Sequence, residues 1–543
     1  MKKNNRPALF ALLACALVCV RTESQTASGQ PQDVMHSDQT LRTNTRLVVV
    51  DVVVTDSKGQ PVPDLKASDF TVLEDGKPQK ISGFNFEHSG AGLTRTAQIQ
   101  LPPSVVTNAP TFQSNSLNVI LFDTANGDFA EQIYARDQLL KFLNGAALDR
   151  PVAIFALQTQ LKLLHDFSTD NKALSAAVAK YRPPAKNNNS ESMESRASAF
   201  ATRGDYHTSQ RDIENTLNQL NALAKVLAGY PGRKNLIWLS ESFPLVLFPE
   251  TDNQLHMDGQ SLRSGIRGSA NPSSTQQNLQ SSPTFKSYAE LIKKVSDALM
   301  AAQVAVYPVD AGAVGKDDHL ASQHTMENMA ESTGGKTFKN SNDLVLGLRS
   351  GIEDGSTYYT LTYYPENKNW DGQFRRIQVK SDRGNMSLRY REGYYAVDPE
   401  KINKEDSDAV AENFSRLLEP EAPAVTGVLF QAQVLADKSK KVQVVFHLDP
   451  QTVAFEHKDD GKEYAKVSCT VWAYGKDKEK PAMFSGTVNA SLPANEYQQM
   501  MKQRFLPCSR ELDLKPGNYN LRLGVLDRTT NKIGTASAQV TVP

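Results

Sequence analysis

Leu117-Asn118-Val119-Ile120-Leu121-Phe122-Asp123-Thr124-Ala125-Asn126-Gly127 decides the fold of this chain. Its first six residues are apolar but for Asn118, with none of the alternation of a strand that has one face in water. They read as a strand buried on both faces. A carboxylate ends the strand, and a helical stretch, Phe129 to Leu143, follows. Open α/β sheets bind ligands in the crevice outside the carboxyl ends of their strands, so Asp123 stands where such a domain carries its site.

Outward from this point the pattern alternates. Further strands are predicted at Val152–Leu157, Leu161–His165, Asn235–Leu239, Val304–Val309 and Lys336–Phe338. Helices are predicted at Asn171–Tyr181, Gln210–Leu227, Tyr288–Ala302, Ala321–Ser332 and Ser341–Ile352. That order implies a mostly parallel sheet with helices on both faces. Val152–Leu157 and Leu161–His165 are too close for a crossover helix and must pair antiparallel at an edge. Two polar insertions, 183–208 and 249–283, interrupt the block and border the same sheet edge as Asp123. They read either as a partner-binding rim or as decoration.

On either side the chain is β-rich. Arg46 to Thr55, Phe70 to Glu74 and Gln79 to Phe86 are strand-like, with Asp56-Ser57-Lys58-Gly59 and Asp75-Gly76 as turns. Tyr358 to Tyr364, Phe374 to Lys380 and Met386 to Tyr390 alternate again. These short runs are too small to stand alone and are expected to pack together, which makes the α/β block an insertion. Regular short strands near the C-terminus suggest an immunoglobulin-like sandwich. The expected organisation is therefore 1–28 signal peptide, 29–43 disordered leader, 44–110 β unit, 111–356 α/β domain, 357–397 β unit, 398–419 linker and 420–543 sandwich.

Length and charge set limits. The 543 residues exceed one core and suggest roughly three or four domains. Sixty basic residues balance sixty acidic ones, so there is no basic field for nucleic acid or an anionic membrane. Lys2, Lys3 and Arg6 precede an apolar segment, Ala8 to Val20, that is too short to span a bilayer and reads as an export signal. No transmembrane helix is expected after its removal. Leu12-Leu13-Ala14-Cys15 resembles a lipoprotein box, which leaves a lipid anchor at Cys15 as the alternative to soluble export. Cys469 and Cys508 then remain as an even pair in an exported chain, where a disulfide is expected.

A set of motifs appears in order along the chain. Val62-Pro63-Asp64-Leu65 is followed by Asp69-Phe70-Thr71-Val72-Leu73-Glu74-Asp75-Gly76-Lys77. Tyr230-Pro231-Gly232-Arg233-Lys234-Asn235-Leu236-Ile237-Trp238-Leu239-Ser240 stands in the middle. Val306-Tyr307-Pro308-Val309-Asp310, Ser332-Thr333-Gly334-Gly335-Lys336, Tyr359 to Pro365 and Arg391-Glu392-Gly393-Tyr394-Tyr395 complete the series. Residues 44–396 thereby resemble the von Willebrand factor A-related domain family of exported acidobacterial proteins. The resemblance implies a fold and a compartment rather than an activity. Asp-Gly and Pro-Gly steps within the motifs also answer plain backbone needs at turns and helix ends.

Von Willebrand A domains hold a divalent cation with Asp-x-Ser-x-Ser at the first strand end. Here Asp123 matches the aspartate, but Ala125 and Gly127 replace both serines. By the same resemblance Glu241 matches the acid after the fourth strand, and Thr208 the threonine before the third helix. Asn126, Asp128, Ser240 or Ser242 stand close enough in sequence to replace lost ligands. The candidate set is Asp123, Asn126, Glu241 and Thr208 for Mg²⁺ or another divalent cation, whose shell needs several convergent oxygens. The alternative is that Asp123 caps the next helix through backbone N–H groups near Gly127 and Asp128.

No Gly-x-Ser-x-Gly elbow, His-Glu-x-x-His helix or Walker loop is present. His319 and His324 read as surface polarity, and Asp310 as a loop-holding residue. Tyr358-Tyr359, Tyr363-Tyr364 and Tyr394-Tyr395 sit in alternating strands, so one of each pair is expected to face the core and one to face out. The sequence thus favours a non-enzymatic, exported module that binds a protein ligand or matrix at the Asp123 edge. A structural component of the cell envelope is the alternative, and an exported hydrolase the least favoured reading.

Overall fold

The computed structural model describes residues 47–88, 94–95, 101–102, 104–110, 112–113, 116–126, 129–145, 148–183, 204–240, 295–311, 327, 329–338, 343–396, 407–436, 441–458, 460–476, 480–503 and 506–543. The expected signal, leader, Cys15 and insertion 249–283 lie outside them.

The central sheet is built from β1 (Ser116–Asp123), β2 (Val152–Leu157), β3 (Leu161–Ser168), β4 (Arg233–Ser240) and β5 (Val304–Asp310), in the order β3-β2-β1-β4-β5. β2, β1, β4 and β5 run parallel, while β3 turns back antiparallel beside β2. Every residue of β1 and β4 is buried, as helices on both faces require. Helices α1 (Phe129–Gly145), α2 (Asn171–Lys180), α3 (Gly204–Leu227) and α4 (Leu344–Asp354) supply the cover, together with the helical residues 295–301. With period 2, Leu117, Val119, Leu121, Leu236 and Trp238 meet Leu217, Leu220 and Leu223 of α3 on one face. Ile120, Phe122, Ile237 and Leu239 meet α1, α2 and α4 on the other. Residues Lys336 to Phe338 contribute one parallel bridge, Val309 to Phe338, rather than a full strand.

Strands from before and after this block interleave. Val48–Asp56 lies between Tyr358–Tyr363 and Met386–Arg389, and Phe374–Ser381 lies between Phe70–Glu74 and Gly393–Tyr395. One buried cluster, including Val50, Val52, Phe70, Val72, Leu361 and Tyr363, joins the two four-stranded sheets. Asp75 and Gly76 both take positive φ, +49° and +79°, in the two-residue turn between Phe70–Glu74 and Lys77–Gln79.

Two sequence expectations change here. Tyr358 and Tyr359 are both buried, because the outer face of their strand is covered by the α/β domain: the Tyr358 hydroxyl accepts the Arg233 N–H at 3.4 Å. Val105–Thr107, placed by sequence in the first β unit, instead pairs with the C-terminal strand Phe430–Ala436. Asn108 fixes that choice. Its amide donates to Val425 O and Val428 O at 2.7 and 2.8 Å and accepts from Phe430 N at 2.8 Å.

The C-terminal region packs two sheets over one core. β6 (Phe430–Ala436), β7 (Lys441–Leu448) and β10 (Leu506–Asp513) form one. The other contains β8 (Lys462–Tyr474), β9 (Ala482–Pro493), β11 (Gly517–Asp527) and β12 (Ile533–Val542). Helix α5 (Ser407–Leu417) precedes them, and α6 (Ala494–Gln503) follows β9. Cys469 on β8 and Cys508 on β10 form a disulfide between the sheets, 39 residues apart. Closing a loop of that length restricts the unfolded chain, so Cys469→Ala with Cys508→Ala is expected to cost about 4 kcal/mol. Chemical denaturation of the double variant beside the reduced and oxidised wild type checks this.

Among the described residues no helix is long and apolar enough to cross a membrane.

Candidate functional site

Parallel register sets Asp123, Ser240 and Asp310 side by side at the carboxyl ends of β1, β4 and β5. Asp123 is only 5% exposed. Its Oδ1 accepts the backbone N–H of Ala125 at 3.0 Å and of Asn126 at 3.1 Å. Its Oδ2 accepts from Ser240 Oγ at 2.8 Å, Asn126 Nδ2 at 2.9 Å and Trp238 Nε1 at 3.2 Å. Five donors therefore converge on one carboxylate. The Ala125 and Asn126 N–H groups stand just before Gly127 and Asp128, the cap donors expected from sequence, which lie outside the described residues.

Burial pushes the Asp123 carboxyl above the ordinary carboxylate range, against the pull of Asn126, Ser240 and the two backbone N–H groups. Asn126 carries the contact onward to Thr216 on α3, with Oγ1 3.0 Å from Nδ2. Thr216, three turns into the helix, thus makes the contact that sequence gave to Thr208. The helix begins at Gly204 rather than Gln210, so Thr208 lies within it and not in a preceding loop. Trp238 and Thr216 were not read from sequence. Trp238 was recoverable, since it shares a strand face with Ser240.

Asp123 and Asn126 come together, whereas Glu241, Gly127, Asp128 and Ser242 lie outside the described residues. So do His256, His319 and His324. His165 sits on the antiparallel edge strand, its ring nitrogen 2.6 Å from Asp166 O. Among the described residues no group of three or more His, Cys, Asp or Glu side chains gathers as a metal site. Nor do the described groups around Asp123 fit a magnesium shell. An indole N–H can only donate, and the oxygens of Ser240, Thr216 and Asn126 are already hydrogen-bonded.

Near this edge four large apolar side chains are exposed. Phe129, Ile133 and Tyr134 in the first turns of α1 are 50%, 40% and 43% exposed, and Leu346 in the first turn of α4 is 56% exposed. α1 and α4 pack against each other, and each begins at the carboxyl edge of the sheet.

The motif residues that sequence assigned to backbone duties also carry side-chain networks. At the opposite end of the sheet, buried Arg233 donates to Tyr307 Oη at 3.1 Å and to Gly334 O at 2.7 Å. Tyr307 in turn donates to Asp354, which also receives Arg389. Lys234 donates to Tyr230 O and Gly232 O at 2.6 and 2.8 Å, and burial pulls its ammonium down to about 8. A base depressed in the fold contributes stability that is present above its unfolded pKa and lost as pH falls through about 8. Between pH 8 and 10 the wild type should therefore gain up to about 1.4 kcal/mol per pH unit relative to Lys234→Met. Paired melting curves at the two pH values check this. In the flanking sandwich, Glu74 Oε2 accepts from Tyr363 Oη at 2.8 Å and Tyr394 Oη at 2.9 Å. Its Oε1 lies 3.3 Å from Arg375 Nη1.

No established protein-family profile matches the chain, and no curated protein sequence does. Among solved structures, proximal thread matrix protein 1 of the mussel byssus is 11% identical at a TM-score of 0.22, the match covering 45% of this chain and 49% of that one. The chain thus spans about half the length of the mussel protein. Manganese-loaded TRAP protein of Plasmodium vivax is 9% identical at 0.22, over 53% of this chain and 95% of that one. The ArnB paralog VWA2 of Sulfolobus acidocaldarius is 8% identical at 0.20, over 87% and 75%. Scores this low assign neither family nor activity.

Proposed function

We propose that the chain is an exported, non-enzymatic binding module that docks a protein ligand at the carboxyl edge of its central sheet. The observation that carries this is the apolar surface at the starts of α1 and α4, beside the braced Asp123 loop. Exposed aromatic and aliphatic side chains gathered at a ligand edge are the usual signature of a protein contact. In this reading the parallel domain is von Willebrand A-like, the C-terminal sandwich is immunoglobulin-like, and the Asp123 loop is held without a cation. The Cys469–Cys508 bridge supports an oxidising compartment.

The test is binding of the purified protein to an isolated cell-envelope fraction, beside Phe129→Asp and Ile133→Asp. Both variants should keep the wild-type melting temperature and lose binding. Retained binding by both would remove the edge from consideration. It would favour the alternative, a structural spacer in the envelope, for which the buried junction around Arg233 and Tyr358 is the supporting observation. Turnover in an unbiased hydrolase screen would revive the enzymatic reading.

A further inference from the structure

We infer that β9 is a self-pairing edge through which two copies of this chain join their C-terminal sheets. β9 pairs with β8 over twelve consecutive positions, Lys462 to Pro493 through Ala473 to Ala482, with no register shift. Among the described residues no strand pairs with its other side. Edge strands in native proteins are ordinarily guarded by charge, proline, bulges or brevity. Three other edges follow that rule, and the uncharged β12 is bonded at its start by Val425 and Val428. β10 carries Pro507, Arg510, Glu511 and Asp513, β3 carries Lys162 and Asp166 with two register shifts, and Met386–Arg389 has four residues. β9 follows none of it: Ala482-Met483-Phe484-Ser485-Gly486-Thr487-Val488-Asn489-Ala490-Ser491-Leu492-Pro493 has no charged residue, and its proline is the last position.

The sequence of β9 also fits its own copy. Phe484, Val488, Ala490 and Leu492 face the sandwich core, while Met483, Ser485, Thr487, Asn489 and Ser491 face solvent. Two antiparallel copies about a two-fold axis can place Val488 opposite Val488. Phe484 then meets Leu492 and Gly486 meets Ala490 on the inner face, and Thr487 meets Asn489 outside. In that register exposed Lys480, two residues before the strand, and exposed Glu496 of the other copy, in the first turn of α6, stand at the same end of the paired strands. An uncharged strand with opposite charges at its two ends selects the antiparallel copy, because a parallel one would bring like charges together. Main-chain hydrogen bonds then continue the sheet from β12 of one copy to β12 of the other.

Sedimentation velocity of the purified protein at up to about 100 µM tests this. The wild type should show a concentration-dependent dimer. Thr487→Lys, at an exposed position where only the 3.1 Å contact with Ser468 Oγ is given up, should leave the protein folded and monomeric. Lys480→Glu should weaken the dimer at least about tenfold, equal to ~1.4 kcal/mol, and Lys480→Glu with Glu496→Lys should restore it. A monomeric wild type across the range, or a dimer unaffected by Thr487→Lys, overturns the inference. A double charge reversal no better than the single one overturns the antiparallel register.

Discussion

Asp123→Ala is expected to destabilise the α/β domain by about 4 kcal/mol, with or without divalent cations. Five donors lose their shared acceptor, and a buried donor left unsatisfied costs roughly 1–3 kcal/mol. The two backbone N–H groups and the Asn126 amide can turn partly to water, whereas the Trp238 indole cannot, so the total falls below a simple sum. Trp238→Phe alone should cost about 1–2 kcal/mol, and clearly less in the Asp123→Ala background, because both changes break one bond. Mg²⁺, Mn²⁺ or Ca²⁺ should not change these differences. A site filled at 100 times its Kd would add about 2.7 kcal/mol. A cation shift seen in the wild type and lost in Asp123→Ala would therefore refute the hydrogen-bonded reading and establish a metal centre.

The acid limb supplies an independent check. Because the Asp123 pKa is raised in the fold, its contribution is fully present below the unfolded value and is lost as pH rises through the folded one. Asp123→Asn keeps an acceptor toward Ala125 and Asn126 but cannot ionise. The stability of the wild type relative to Asp123→Asn should thus fall as pH rises above the ordinary carboxylate value of about 4. A difference that grows over that range would mean a cation or an undescribed basic group pairs with the carboxylate.

How much of this was legible in the sequence depended on the range of the interaction. The strand before Asp123 was visible because burial on both faces leaves a local signature, a continuous apolar run. The antiparallel β2–β3 pair was visible because its connection is too short for a helix. Trp238 meets Asp123 across 115 residues of chain and Thr216 meets Asn126 across 90, and no local pattern records such a meeting. Tyr358 was misread for a related reason. Alternation describes a strand with one wet face, and nothing within Tyr358–Tyr363 announces that another domain covers its second face. Asn108 redirected Val105–Thr107 to the C-terminal sheet through carbonyls more than 300 residues away.

Glu74 is the clearest case of a motif residue whose purpose only the fold discloses, and Glu74→Ala should cost about 4 kcal/mol in the flanking sandwich. Glu74 and Arg375 are almost wholly buried, with side chains 2% and 3% exposed. Arg375 also donates to Asn367 O at 2.7 Å and to Asn369 O, and it lies 5.0 Å from the centre of the Trp370 ring. Removing one member of a buried ion pair strands the other, which costs roughly 3–5 kcal/mol. Here Tyr363 and Tyr394 lose their acceptor as well. Glu74→Gln keeps an acceptor but not the charge, so a loss of about 2 kcal/mol is expected. Trp370 fluorescence, read as the signal lost in Trp370→Phe, reports this region locally during denaturation, which matters in a chain whose domains need not unfold together. Burial first, and then the charge of Glu74, hold both tyrosines above the ordinary phenol range. Their raised pKa values contribute stability that is full below the unfolded value, about 10, and lost at higher pH. Glu74→Gln removes the charge behind part of that shift, so the variant should lose less stability than the wild type above pH ~10. Equal losses in the two proteins would mean that burial alone sets the tyrosines, and that Glu74 acts on Arg375 and not on them.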